Sequence, residues 1–331
     1  MLNPDLKLNP KIFDQDVEKK ATRDGYGEAL AELGEKNKDV VVLTADLSES
    51  TRCEKFAAKF PERFFECGVA EQNMAAIAAG LGVSGKIPFI SSYATFSPGK
   101  NWETIRTTII YNNSNVKIAG HHAGIMTGPD GATHQATEDI AVTRCWPETK
   151  VLVPCDSIEA KKVTLAAGET DGPIYLRFTR DKSPIITTED TPFNIDKMQT
   201  FWLSDNPQSV IFATGYMLYY SLFAAKELEE TDINVLVANV STIKPLDGQT
   251  ILDLVNQTGN AVTVEDHQTT GGLGGAIAEF LAENRPVPLE FVGLRDTFAE
   301  SGKPEELIEK YGMGIEAIKD AVKKAIKRKS L

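Results

Sequence analysis

The chain has 331 residues, of which 42% are hydrophobic and 25% charged, which is the composition of a globular protein and the length of two domains. Its formal net charge of −12 excludes a basic surface for nucleic acid, since phosphate contacts require clustered lysine and arginine. No apolar run is long enough for a signal peptide or a bilayer span, so we expect no membrane contact. Four cysteines without metal-binding or CxxC spacing fit reduced thiols in the cytoplasm.

Short β-branched runs alternate with helical patterns, which predicts parallel sheets with crossover helices. In the first half of the chain the predicted strands are 40–44, 88–92, 116–120, 150–154 and 173–178, and the predicted helices are 24–37, 71–81, 99–111 and 157–167. In the second half the predicted strands are 209–213, 234–240, 261–265 and 290–292, and the predicted helices are 217–230, 250–257, 274–283 and 315–327.

Periodicity is lost between the two halves, where Pro184, Pro192, Asn194 and Pro207 gather. We therefore predict an α/β protein with two domains, each a mainly parallel sheet flanked by helices. The predicted boundaries are an N-terminal extension at 1–20, a first domain at 21–185, a linker at 186–207 that has room for a short strand, and a second domain at 208–331.

All four histidines lie in short polar or glycine-rich segments: His121 and His122 in AGHHAGIMTG, His134 in PDGATHQ, and His267 in VEDHQTTGGLGG. Loops held by a rigid scaffold often carry binding and catalytic residues, so His122 and His134 are candidate functional residues. His121 is equally well explained by packing beside the preceding strand. Their spacing matches no zinc motif, and we predict no metal site on this chain.

The segment FFECGVAEQNMAAIAAGLG places Glu71 at the start of a helix of small and apolar residues. The positive end of that helix is one explanation for a glutamate there. The other is chemical: apolar surroundings disfavour a charged carboxylate, which prepares it to share a proton with a heterocycle. The glycine-rich segment 271–275 lacks the full dinucleotide-binding pattern, so it favours tight packing of a helix.

Several segments together resemble the pyrimidine-binding domain of transketolases: GVAEQNMAAIAAGLG, SSYATFSPGK, GHHAGIMTGPDGATHQATEDIAVTRCWPETKVLVPCDS and DGPIYLRFTR. VEDHQTTGGLGGAIAE resembles the C-terminal domain of the same family, and the resemblance runs from about Ala21 onward. Full-length members begin with a diphosphate-binding domain that contains GDG and a following asparagine, and this sequence has no GDG. It therefore resembles the carboxy-terminal section of a split transketolase.

The resemblance implies a thiamine diphosphate site. In it, Glu71 hydrogen-bonds the aminopyrimidine ring of the cofactor, Phe96 stacks on that ring with Tyr93 close by, and Asp46 approaches the thiazolium side. The implied substrate-binding residues are Arg23, Ser50, His122, Asp130 and Arg180, in which His122 adds a cation to the two arginines. His134, with Asp130, would bind substrate hydroxyls and move protons. Surface solvation is the alternative for each arginine, and more so for Arg177 than for Arg180.

The implied reaction is transfer of a two-carbon ketol unit from a ketose phosphate to an aldose phosphate, as in the pentose phosphate pathway. An N-terminal partner subunit would carry the diphosphate-binding domain and the Mg²⁺ ligands, in an α2β2 assembly whose isolated chains are inactive. Pro129 before Asp130, and the form of YATFSPGK, leave the exact sugar open. The alternatives are a section of a deoxyxylulose-phosphate synthase, the β subunit of a 2-oxoacid dehydrogenase, and a noncatalytic transketolase-like binding module.

Overall fold

A computed structural model describes residues 1–329 and gives the first half of the chain a mainly parallel sheet. The strands in this half of the chain are β1 Lys19–Lys20, β2 Val40–Thr44, β3 Phe64–Glu66, β4 Ile87–Tyr93, β5 Lys117–His121, β6 Lys150–Leu152, β7 Ile174–Arg177 and β8 Ser183–Pro184. Its helices are α1 Thr22–Lys36, α2 Glu54–Lys59, α3 Glu71–Val83, α4 Trp102–Thr104, α5 Asp139–Arg144 and α6 Ser157–Glu169. Strands β1 and β8 form a separate antiparallel pair.

The second half of the chain builds a second sheet. The strands in this half of the chain are β9 Gln199–Trp202, β10 Ser209–Ala213, β11 Val235–Asn239, β12 Thr242–Lys244, β13 Ala261–Gln268 and β14 Leu289–Leu294. Its helices are α7 Met217–Glu229, α8 Gly248–Thr258, α9 Leu273–Asn284, α10 Pro304–Lys310 and α11 Ile315–Lys329. The predicted α/β class with two mainly parallel sheets is confirmed.

Within the described residues, the strand order of the first sheet is β12-β6-β7-β5-β4-β2-β3, and all neighbours are parallel except β12. The second sheet has the order β14-β13-β10-β11-β9, in which β9 is antiparallel. Strand β2, with the sequence VVVLT, is buried at every position, because a parallel strand is covered by helices on both faces. Helices α1 and α6 approach closely at Gly25, where a side chain would overlap the Ser157 carbonyl.

The two halves of the chain interlock. Strand β12 follows β11 in sequence but pairs with β6 of the first sheet, with Thr242 opposite Leu152. The amino terminus packs on the second half, since the Asn3 amide donates to the Phe201 carbonyl at 2.9 Å. The segment 186–207, predicted as a linker, contains β9. Segments from one half of the chain therefore pair with the other half. The proposed domain boundaries at residues 20, 185 and 207 stay a prediction.

The largest local difference from the predicted elements is the helix at 99–111. The structure has the short α4 followed by a π-helical segment at Ile105–Ile110. Threonine hydroxyls bond back to carbonyls one turn earlier there, Thr107 to Glu103 at 3.0 Å and Thr108 to Thr104 at 2.6 Å. Such bonds compete with the helical ladder and bend a helix. No helix in the described part of the chain has both the length and the apolar character that a bilayer crossing requires.

Candidate active site

The candidate site lies along the carboxyl edge of the first sheet. The strands β7, β5, β4, β2 and β3 are spatial neighbours in that order. The predicted residues at or just after their carboxyl ends are, in the same order, Arg180, His122, Tyr93, Asp46 and Glu71. Neighbouring strands are about 4.8 Å apart, so this row extends over roughly 19 Å. Open parallel sheets bind ligands at this edge, and the row is long enough for an elongated ligand.

Glu71 is the first residue of α3, and only 3% of its side chain is exposed. The Lys100 ammonium group donates to its Oε2 at 2.7 Å, while the amide of Asn101 donates to its backbone carbonyl at 3.0 Å. The carboxylate is therefore buried as expected, but the expectation of apolar surroundings is corrected, because a lysine ammonium group contacts it. Lys100, whose side chain is 47% exposed, compensates the buried charge.

Lys100 and Asn101 also link Glu71 to the segment that carries Phe96. The Asn101 amide reaches back to the Ser97 hydroxyl at 3.2 Å, so the turn that begins at Phe96 is fastened to the start of α3. No role was predicted for Lys100, the last residue of YATFSPGK. No local spacing marks it, because the backbone between Phe96 and Lys100 is non-helical at Ser97.

Four predicted site residues form an aromatic cluster: Tyr93, Phe96, His122 and His134. The rings of Tyr93 and His122 are stacked, with centroids 3.8 Å apart and planes inclined by 25°. Phe96 lies 5.8 Å from Tyr93, and the His134 ring meets both rings edge-on at 5.5 and 5.9 Å. Residues from three separate segments thus meet, and their flat faces suit a planar heterocycle.

His122 is a neutral group in this chain. Burial, with the positive charges of Arg23 and Arg180, lowers its pKa to about 2. Its Nδ1 has no hydrogen-bond partner among residues 1–329. The prediction that His122 supplies a further cation is therefore wrong, because a buried imidazole beside two arginines does not take up a proton near pH 7. It can offer a hydrogen bond instead.

His121 fills a different role from its neighbour. It is fully buried against the rings of Tyr26 and Phe178, with centroids 4.9 and 5.1 Å away. Burial lowers its pKa well below the usual value, and neither ring nitrogen has a partner within the described residues. Its contacts match the packing explanation.

Two residues of the row have left-handed backbone conformations, with φ of 54° at His122 and 61° at Asp46. Residues other than glycine rarely adopt this region, and such strained positions gather at functional sites. At Asp46 the conformation is held by a hydrogen bond from its amide to the Glu66 carboxylate at 2.7 Å, which leaves the Asp46 side chain exposed. Asp46 lies on the row but contacts none of the other predicted site residues among the interactions described.

Four of the five predicted substrate residues are arranged as two pairs. Arg23 donates to the backbone carbonyl of Ser50 at 2.8 Å, and Arg180 lies 3.6 Å from the Asp130 carboxylate. Arg52, which sequence reasoning missed, adds a third guanidinium and pairs with Asp24 at 2.7 Å. Three guanidinium groups near His122 give a local positive site on an acidic protein, which is what an anionic substrate needs.

His134 is half-buried, and its Nδ1 lies 2.8 Å from the Thr133 hydroxyl. The fourth histidine, His267, lies outside the cluster, in the second half of the chain. Its neighbour Glu265 accepts the amides of Leu273 and Gly274 at 2.7 and 2.8 Å. Two backbone amides of the glycine-rich segment are thus bonded to a carboxylate of the protein itself. Residues 1–329 contain no group of three or more His, Cys, Asp or Glu that could hold a metal ion.

Comparison with known proteins gives the same two units. Residues 18–185 match the family model of the transketolase pyrimidine-binding domain, and residues 201–318 match that of the transketolase C-terminal domain. A protein of Methanocaldococcus jannaschii, named provisionally as a transketolase C-terminal section, is 44% identical over 93% of this chain and 97% of its own length.

Two further relatives are similar over nearly their whole lengths. A 6-deoxy-6-sulfo-D-fructose transketolase subunit of a Clostridium species is 36% identical over 96% of this chain and 98% of its own. A solved structure described as a split-gene transketolase, inactive beta4 tetramer, has a TM-score of 0.87 and 43% identity, covering 93% of this chain and 99% of that one. With two family models that together span most of its length, the chain belongs to the transketolase family, in the form of the split C-terminal section.

Proposed function

We propose that this chain is the C-terminal subunit of a transketolase that depends on thiamine diphosphate and moves a two-carbon ketol unit from a ketose phosphate to an aldose phosphate. The observation that carries the proposal is the buried carboxylate of Glu71, fastened through Lys100 and Asn101 to the segment of Phe96. An aminopyrimidine ring requires a buried carboxyl group that can share a proton with a ring nitrogen, and aromatic faces to stack on.

The residues present fit one half of the cofactor. Glu71 would share a proton with a ring nitrogen of the pyrimidine, Phe96 and Tyr93 would cover the faces of that ring, and Asp46 would lie toward the thiazolium. When bound, thiamine diphosphate supplies the electron sink for cleavage of the carbon–carbon bond. The chain's own contribution is to orient the ring and to exchange a proton with it through the Glu71 carboxyl group, whose burial keeps competing water away.

The substrate end of the row would bind a sugar with an anionic terminus. Arg23 and Arg180 provide guanidinium groups, His122 a neutral imidazole, and Ser50 and Asp130 groups for hydroxyls. The relative that acts on a sulfo-sugar suggests that a tetrahedral anion, phosphate or sulfonate, is the shared feature. His134 would exchange protons with the sugar hydroxyls near the bond that breaks.

The site needs a second polypeptide on this proposal. An N-terminal partner subunit would bind the diphosphate of the cofactor and Mg²⁺, and two copies of each chain would form an α2β2 assembly. The related solved structure, which contains a tetramer of β chains, is described as inactive, in keeping with this requirement. The cytoplasmic location and the place in the pentose phosphate pathway stay predictions from the sequence.

Reconstitution tests the proposal. The purified chain is mixed with its N-terminal partner, thiamine diphosphate and Mg²⁺, and two-carbon transfer from xylulose 5-phosphate to ribose 5-phosphate is followed. We expect turnover only when both chains are present. Turnover by this chain alone would contradict the need for a partner, and cofactor binding by the mixture without transfer to any aldose phosphate would contradict the reaction.

A further inference from the structure

We propose that Asp266, in the second half of the chain, is a positioning residue that holds the loop carrying Asp130 and His134. The inference rests on the proposed function for the role of that loop, but the contacts stand independently of it. The loop leaves β5 at Ala123 and returns at Ala136, where the two residues form an isolated parallel bridge. The Gly124 amide closes the base further by donating to the Ala136 carbonyl at 2.6 Å.

The base of the loop is fastened to the end of β13. The Ile125 amide donates to Oδ1 of Asp266 at 2.9 Å, and Asp266 is 2% exposed. Arg177 fixes Asp266 in turn, because its guanidinium donates to the Asp266 carbonyl at 2.7 Å and pairs with Asp139 at 2.9 Å. A backbone amide bonded to a buried carboxylate is among the stronger hydrogen bonds in proteins. Asp266 is therefore a fixed acceptor for the first residue of the turn at 125–130.

Gly124 shows how closely the carboxylate approaches the loop. Its φ is 72°, and a side chain built on it would overlap Oδ2 of Asp266. That oxygen has no hydrogen-bond partner within the described part of the chain. The carboxylate thus lies directly against the loop backbone, and the contact requires glycine at this position.

A second contact holds the far side of the loop. The Gln135 side-chain amide donates both to the Gly128 carbonyl at 3.1 Å and to the Glu300 carbonyl at 3.2 Å. A side chain at Gly131 would come within 2.5 Å of the Ser301 hydroxyl, so the segment at 300–301 covers the loop closely. Both sides of the loop are therefore held by the second half of the chain.

The consequence concerns His134 and Asp130. Asp130 is exposed and His134 half-buried, so neither is enclosed by the protein on all sides. A displacement of about 1 Å at a reacting group can cost roughly 100-fold in rate. If Asp266 sets the position of the loop, the second domain contributes to substrate handling without touching the substrate.

The first test uses the isolated chain with carbon-labelled histidine, and compares Asp266→Ala and Asp266→Asn with the wild type. The matched control is Glu265→Gln, a neighbouring buried carboxyl that contacts α9 and not the loop. Spectra are recorded at pH 8, because burial raises the pKa of Asp266 to about 6. A His134→Gln variant assigns the His134 ring signal.

We expect Asp266→Ala to move the His134 signal and to speed hydrogen exchange of the Ile125 amide by about tenfold or more. Asp266→Asn should speed that exchange by about threefold, since an amide oxygen is a weaker acceptor. The control should change neither. Should Asp266→Ala not fold, an unchanged Ile125 exchange rate in Asp266→Asn would by itself overturn the assignment, as would a folded Asp266→Ala with an unmoved His134 signal.

The second test uses the reconstituted complex. Asp266→Ala should lower kcat/KM for the ketose by about tenfold to 100-fold while leaving thiamine diphosphate affinity, measured by calorimetry, within about twofold. Normal kcat/KM in that variant would contradict the positioning role. A wild-type complex without turnover would instead count against the proposed function, while the His134 and Ile125 measurements would still decide the loop contact.

Discussion

The carboxyl edge of the first sheet and the joint between the two halves of the chain both contain acidic side chains, yet Asp46 and Glu71 at the edge are less completely paired than Glu159 at the joint. At the edge, Asp46 is exposed and Glu71 has one partner, a half-exposed lysine. At the joint, Glu159 is buried and accepts one hydrogen bond from each half, from the Cys155 backbone amide and from the Asn239 side chain. Side chains with unused bonding capacity suit a ligand, whereas saturated ones hold the structure together.

The largest effect should come from the edge. Glu71→Gln in the reconstituted complex should lower kcat by about 1,000-fold or more, because the amide cannot exchange a proton with the cofactor ring. Assembly with the partner, followed by sedimentation, should be unchanged. Glu279→Gln, an exposed carboxylate paired with Arg144, is the matched control and should keep normal turnover. A Glu71→Gln enzyme with near-normal rate would remove the carboxylate from its proposed role.

The next effect concerns the proton-moving group. His134→Gln should lower kcat by about 100-fold, the usual contribution of a positioned acid or base. Thiamine diphosphate affinity should stay close to that of the wild type. A variant that lost cofactor affinity but kept its rate at saturating cofactor would contradict this role, because His134 would then bind the cofactor rather than move protons on the substrate.

At the substrate end, Arg180→Met should raise KM for the sugar phosphate by about 10-fold to 100-fold, since a hydrogen bond to a charged group contributes about 1.5–3 kcal/mol. kcat should change little at saturation. The exposed Arg285 provides the control, and its replacement by methionine should leave KM unchanged. An equal rise in both variants would indicate a general charge effect rather than a specific contact.

Replacing Glu159 at the joint should change the stability of the chain rather than the rate of the reaction. Burial raises the pKa of Glu159 to about 7, while its unfolded value is near 4.5. The folded state therefore holds this proton more tightly, and the resulting stability, complete below pH 4.5, is lost as the pH rises through 7. Between pH 5 and pH 8 the wild type should lose about 2–3 kcal/mol more than Glu159→Gln, as measured by urea unfolding. If the free energies of unfolding of the two proteins changed in parallel with pH, the raised pKa of Glu159 would be contradicted.

The smallest expected effect concerns the pair of Lys100 and Glu71 at the carboxyl edge. Lys100→Met should lower the free energy of unfolding by about 1 kcal/mol, a modest value because the lysine is half exposed and solvent screens the pair. In a double-mutant cycle with Glu71→Gln, most of that loss should disappear. Additive losses would show that Lys100 stabilises the chain through something other than Glu71.

The fold was largely predictable because the strands are short buried runs that only a parallel sheet accommodates, such as VVVLT at 40–44. The crossing of β12 into the first sheet was not, because three residues of ambiguous pattern carry no information about which sheet they join. The threonine-rich helix after residue 101 was assigned too regular a form, since its periodicity hides the bonds that its hydroxyls make.

The closeness of Tyr93 and Phe96 was predictable because their motif lies at the end of a strand, whereas His134 reaches the same cluster from a separate loop. Two features depended on burial, which a sequence does not give. His122 is too enclosed to be charged, and Arg177, which the sequence analysis placed at the surface more readily than Arg180, is 3% exposed and paired with Asp139. Lys100 escaped notice because its partner lies 29 residues away.

The most direct test of the account is the crystal structure of the chain assembled with its N-terminal partner and thiamine diphosphate. The distance to measure is the one between the nearer carboxylate oxygen of Glu71 and the closest pyrimidine ring nitrogen. We expect about 2.6–3.2 Å, with Phe96 against the ring. A Glu71 carboxylate that stays on Lys100 alone, with the cofactor ring bound elsewhere, would contradict the proposed site.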